Sequence, residues 1–172
     1  MRKLKPDEID CRVSTISEKG CSLLLYKNAR VDMAMLDEEY GRLGWKREHE
    51  LIDGDLYCTI SVWNEVEGIW VSKQDVGTES YTEKQKGRAS DSFKRAGFNW
   101  GIGRELYTAP FIWINAKDVK IVPGRNGNLT TYDRFVVTDI EYTDDKISSL
   151  EIKKLRNGVP AETVYTMNKL GK

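Results

Sequence analysis

Alternation is the feature that most limits what this chain can become. Between residues 56 and 63, Leu56, Cys58, Ile60 and Val62 alternate with Tyr57, Thr59, Ser61 and Trp63. A period of two places one class of residue on each face of a strand, so an apolar face here needs strand neighbours and a cover. Residues 45–52 and 69–76 read as those neighbours. Asp53-Gly54 joins the first pair, a dipeptide suited to the left-handed conformations of a two-residue hairpin. Asn64 and Gly68 bracket a looser second turn, so residues 45–76 predict a three-stranded antiparallel meander.

The cover comes next in the chain. Thr82 and Gln85 fit the S/T-x-x-E/Q capping box that opens a helix. At about 100° per residue, Ala89, Phe93, Ala96, Gly97 and Trp100 fall on one side of that helix. Lys84, Arg88 and Arg95 fall on the other, with Lys94 at the border, and Gly97, Gly101 and Gly103 then loosen the chain. Upstream, Asn28 is an N-cap for a helix that Gly41 ends, with Val31, Ala34 and Met35 as its apolar stripe. Its methionines read as core packing. Residues 9–26 predict a strand, a turn at Gly20 and a second strand. Downstream, Pro110 starts an extended stretch over 111–114 and residues 123–127 form a loop. Residues 135–142 and 147–155 make a last hairpin, and after Asn157-Gly158 the tail 159–172 thins out.

The expectation is an α+β fold: an antiparallel β-meander packed on a long helix, a β-β-β-α core over about 28–115. N- and C-terminal β-hairpins, the latter at 131–156, are added to it in a single domain of 1–172.

Composition removes many chemistries. Lys and Arg number 27 and Asp and Glu number 27, so a uniformly basic polyanion binder is excluded and any such site is a local patch. One histidine, His49, and three scattered cysteines leave little for zinc sites or histidine-based triads. The odd cysteine count without a C-x-x-C pair favours a reducing cytosol. MRKLKPDEID never reaches the apolar core of a signal peptide. The apolar run Leu23-Leu24-Leu25-Tyr26 is far short of the roughly 20 residues that span a membrane. A cytoplasmic protein without a membrane partner is expected. There is no G-x-x-x-x-G-K-[ST] loop and no G-x-G-x-x-G turn, which argues against a conventional P-loop ATPase and a Rossmann fold, and no cofactor is expected. Glu151-Ile152-Lys153, preceded by Asp139, Asp144 and Asp145, resembles the acidic-plus-lysine set of Mg²⁺-dependent nucleases, which need two carboxylates on the metal. An alternating charged edge strand produces the same pattern.

The positive signal is charge segregation. Residues 83–107 carry six cations, Lys84, Lys86, Arg88, Lys94, Arg95 and Arg104, against the three carboxylates Glu83, Asp91 and Glu105, a local excess of three. Residues 32–67 carry ten acidic side chains against Arg42, Lys46 and Arg47. A basic helix beside an exposed aromatic sheet suits single-stranded nucleic acid, with phosphates on the cations and bases stacked or free.

Residues 29–107 also carry five elements in order: Arg30-Val31-Asp32 through Gly41; Gly44-Trp45; Asp75-Val76-Gly77; Glu83-Lys84 with Ala89-Ser90-Asp91-Ser92-Phe93-Lys94-Arg95-Ala96; and the Gly97, Gly101 and Gly103 cluster. This order resembles the single-strand annealing proteins of the Rad-fifty-two superfamily, especially the phage Sak-type recombinases. The resemblance implies ATP-independent binding and annealing of single-stranded DNA in homologous recombination and DNA repair, without catalysis or cofactor. It also implies homo-oligomeric rings or helical filaments in the cytoplasm of a bacterial host, with a host single-strand-binding protein as a further candidate partner. By position it implies that Arg30, Lys94 and Arg95 hold DNA. The family's further basic residue is matched here by Phe98, which leaves Arg88 or Arg104 to complete the site, with Lys84 in the same stretch. The other classes open to the chain are the Glu151/Lys153 nuclease and a non-catalytic sheet-based interaction module.

Overall fold

The computed structural model describes residues 1–77, 84–125 and 127–168. In chain order its regular elements are β1 (Asp10–Ser17), β2 (Gly20–Tyr26), α1 (Ala29–Tyr40), β3 (Trp45–Ile52), β4 (Asp55–Asn64), β5 (Ile69–Val76) and α2 (Lys84–Asn99). They continue as β6 (Ile112–Asn115), β7 (Ile121–Pro123), β8 (Leu129–Thr131), β9 (Phe135–Thr143), β10 (Lys146–Arg156) and β11 (Val159–Met167). The class is α+β, with antiparallel sheets dominant and, among the described residues, two α-helices. The chain divides into two units. One holds Met1–Lys3 and Asn28–Gly103, and the other holds Leu4–Lys27 and Arg104–Lys172.

The first unit contains the meander, in the order β3-β4-β5. Asp53 and Gly54 have φ of 51° and 86°, the left-handed pair that turns β3 into β4, and the ladder then runs unbroken from Ile52↔Asp55 to Trp45↔Val62. Cys58, Ile60 and Val62 are buried on one face of β4. α2 lies against β4 and β5, with Phe93 and Ala96 fully buried, Trp45 stacked on Phe93 at 6.1 Å, and the Trp100 indole donating to the Ile60 carbonyl at 3.2 Å. The capping box at Thr82 lies outside the described residues.

α1 begins and ends where the sequence places it. The Asn28 side chain accepts the Arg30 N–H at 2.9 Å, and Gly41 closes the last turn at φ 73°. Its buried face, however, is Val31, Asp32, Met35 and Leu36, with Ala34 exposed, so the expected stripe is rotated. The cause is α2. A Cβ on Gly97 would stand 2.5 Å from the Asp32 carboxylate, so Gly97 lets the two helices touch there. Gly97 thus sits inside a helix as a close-approach point, where the sequence suggested it loosens the chain.

The second unit is built on a six-stranded sheet in the order β11-β10-β9-β1-β2-β6, with β7 and β8 as a separate ladder around the expected 123–127 loop. Ile9, Leu23, Ile112, Ile114, Val137, Leu150 and Ile152 are buried in this unit. The N- and C-terminal hairpins appear as expected, but within one sheet. The tail is the larger departure: residues 159–167 form β11, paired with β10 from Arg156↔Val159 to Leu150↔Met167. Asn157 and Gly158, at φ 53° and 80°, turn the chain back, so the apparent end of order is a hairpin. Among the described residues no helix is long and apolar enough to cross a membrane.

Candidate nucleic-acid interface

The meander's register sets three rungs beneath α2: Trp45–Val62–Val71, Arg47–Ile60–Lys73 and His49–Cys58–Asp75. Each central residue is buried, and the outer residues flank the helix. The Arg47 guanidinium stands 4.5 Å from the centre of the Phe93 ring, and the Lys73 ammonium lies 4.5 Å from that of Trp100 while donating to the Asn99 carbonyl at 3.0 Å. At exposed sites such cation–ring contacts are worth about 0.5–1 kcal/mol each, enough to orient a side chain and not to bury its charge. Arg47 and Lys73 are cations beside α2 that charge counting missed, because both lie outside the basic 83–107 segment. Alternation across the two hairpins was the signal that places them on one rung.

The sequence-predicted residues fare differently from one another. Arg30, the second residue of α1, is exposed and makes no ion pair among the described residues. Lys94 is half-buried and likewise has no ion pair among the described residues. Arg95 is exposed, and its Nε stands 3.2 Å from the Asp75 carboxylate, one rung from Lys73. Arg88 is turned inward instead of outward: its side chain is 17% exposed, Nη2 donates to the Gly54 carbonyl at 2.7 Å, and Asp55 lies 3.3 Å away. Gly54 belongs to the turn, outside the ladder, and the long arginine reaches its carbonyl. Lys84 is the first residue of α2. Arg104 is exposed at the start of a short 3-10 helix, Arg104–Thr108, in the second unit. Arg30, Lys84, Arg88, Lys94 and Arg95 therefore share one unit, which Arg104 does not.

Aromatic exposure also departs from expectation. Trp63 and Trp70 oppose each other on β4 and β5, edge to face at 5.4 Å, and are 39% and 42% exposed. Alternation puts them on the face turned away from α2, with the Lys46 ammonium 5.2 Å from Trp70. The basic helix and the exposed tryptophans thus occupy opposite sides of the meander, and Trp45, on the helix side, is stacked under Phe93.

Glu151 is occupied on the surface of the second unit. Thr138 donates to it at 2.6 Å, Thr163 at 3.3 Å, and the Lys153 ammonium lies 3.3 Å away. The Thr138 hydrogen bond is the main cause of a carboxyl pKa below the usual range. Among the described residues no three His, Cys, Asp or Glu side chains converge to hold a metal ion.

No family model matches the chain. Over 81 residues it is 36% identical to the single-stranded DNA-binding protein DdrA of Deinococcus deserti, a match covering 46% of this chain and 39% of that protein. The chain thus spans about two fifths of the length of the curated relative it matches.

Proposed function

We propose that this chain binds single-stranded DNA along the cation-flanked side of α2 and anneals complementary strands without ATP. The observation that carries the proposal is the similarity over 81 residues to a protein named for binding single-stranded DNA. The electrostatics agree with it. Arg30 and Lys94 keep their charges outside ion pairs among the described residues, Arg47 and Lys73 flank the helix, and Arg95 is tied only to Asp75 at an exposed site. Cations that meet phosphates bind irrespective of sequence and leave base edges free to pair.

The resemblance to Sak-type annealing proteins extends the proposal to phage or prophage recombination and repair in a bacterial cytoplasm, with a host single-strand-binding protein as a further partner. It also extends it to side-by-side assembly in a ring or filament. A chain with formal net charge +0 gains from such assembly, because repetition turns a weak local patch into a continuous track.

The test is annealing of labelled complementary oligonucleotides with and without Mg²⁺ and ATP. Annealing in the absence of both is expected. Cleavage that appears only with Mg²⁺ would replace the proposal with the nuclease alternative. Light scattering after size exclusion is expected to give a mass many times 19.7 kDa. A monomer at micromolar concentration, with and without DNA, would overturn the assembly.

A further inference from the structure

Within the six-stranded sheet a single residue pair, Asp10↔Val136, joins β1 to β9. Beyond it the strands part around a cleft of about 560 Å³, lined by residues 9–13 and 133–136 together with Tyr26. The side chains disfavour a longer ladder here. Carried two residues further, the same antiparallel register would set Arg12 directly opposite Arg134, and like charges in opposed positions destabilise a sheet. Both arginines are exposed, and neither makes an ion pair among the described residues.

The cleft's other charged groups are the carboxylates of Asp10 and Asp133. Asp133 accepts the Lys120 N–H at 2.7 Å, which engages one of its oxygens. Asp10 opposes Tyr26 in the β1–β2 ladder. That pairing puts the Tyr26 ring, 42% exposed, on the same face as Arg12. Two guanidiniums across a gap, with an aromatic ring beside one of them, are donors matched to a phosphodiester and a platform matched to a base. The two carboxylates offset the two guanidinium charges, so recognition of a phosphate here rests on directed hydrogen bonds and not on net charge.

We propose that this cleft is a second contact for single-stranded nucleic acid, in which Arg12 and Arg134 clamp one backbone phosphate and Tyr26 stacks on the adjoining base. The inference rests on the strand-binding proposal above and adds a contact in the unit that carries none of the α2 cations. A bound phosphate replaces the repulsion between the arginines with two charge-assisted hydrogen-bonded pairs.

The experiment compares the full chain with R12Q/R134Q, Y26A and K94A/R95A. It uses a labelled oligothymidine over a salt series, and melting temperatures with and without a 5′-phosphorylated thymidine dinucleotide. R12Q/R134Q is expected to lower the slope of log affinity against log salt by about 0.7, the loss of one phosphate contact, and to add to the loss in K94A/R95A. Y26A is expected to weaken binding with the slope unchanged. The dinucleotide is expected to raise the melting temperature of the wild type and not that of R12Q/R134Q. A folded R12Q/R134Q with wild-type affinity and slope overturns the inference while the strand-binding proposal stands. A ligand-free R12Q/R134Q that melts below the wild type assigns the arginines to structure and also overturns it. If the wild type binds no oligothymidine, the strand-binding proposal falls. A dinucleotide effect lost in R12Q/R134Q then keeps the phosphate clamp, and its absence removes that as well.

Discussion

Two seams between neighbouring strands behave in opposite ways. β3 and β4 pair over eight successive positions, whereas β1 and β9 pair at one. Across the first seam the opposed residues include Lys46 with Ser61, Glu48 with Thr59 and Glu50 with Tyr57, and no like charges meet. α2 also covers that seam with Phe93. Across the second, the continuing register would bring arginine against arginine. Backbone hydrogen bonding is available to both pairs of strands, and opposed arginines add a cost to closing the second, a cost the β9–β10 ladder bears where Glu151 opposes Asp139. The closed seam makes a scaffold for flanking cations, and the open one makes a cleft.

The comparison can be broken most decisively at the cover. Phe93→Ala removes a fully buried ring that touches both Trp45 and Arg47, and is expected to cost about 3–5 kcal/mol in urea unfolding. An unchanged urea midpoint would mean the ladder closes without its helix. Next in size is K94A/R95A. Two lost phosphate contacts at roughly 0.7 in slope each predict roughly 25-fold weaker strand binding at 0.1 M salt, relative to 1 M, with the fold retained. Wild-type binding would remove both residues from the interface.

A smaller effect is alkaline. Burial in the closed seam pushes the Cys58 thiol up to about 11, above its ordinary value of 9.0, so the folded state favours the protonated form. That contribution is present in full below about pH 9 and is lost as the pH rises through about 11. Stability is expected to fall over this window, and to fall less steeply in Cys58→Val. The smallest effect is expected from Asp75→Asn, which releases Arg95 from an exposed ion pair worth at most about 1 kcal/mol. Stability should barely move while strand affinity rises, and a fall in affinity would show that the pair orients Arg95 for binding.

Local signals were legible in the sequence where one residue type dictates a conformation. Asp53-Gly54, Asn28 and Gly41 each appear in the structure in the role their chemistry predicts. Asn157-Gly158 carries the same hairpin chemistry, but it is followed by Val-Pro-Ala-Glu-Thr, whose polarity and proline hide an edge strand. What stays out of reach of sequence is packing between elements. Nothing local marks Asp32 for burial, because its burial follows from the close approach of α1 to Gly97. Nor does helical periodicity say that Arg88 reaches the β3–β4 turn, a contact fixed by how α2 lies on the meander. Among the candidate site residues, helix position was therefore readable and availability of charge was not. The rung Arg47–Ile60–Lys73 is an intermediate case, computable once both turns are placed.

β11 has a consequence for growth by edge-to-edge stacking. As an outer strand of the six-stranded sheet it is hydrogen-bonded to β10 alone, and it approaches β6 from the other end of the strand order. Pro160 withholds one donor, Glu162 holds Lys154 and Arg156 in ion pairs, and two register shifts against β10 bend the strand. These features keep that rim from templating fibrils. The meander has rims of its own, and along the β5 rim only Lys73 and Asp75 carry charge.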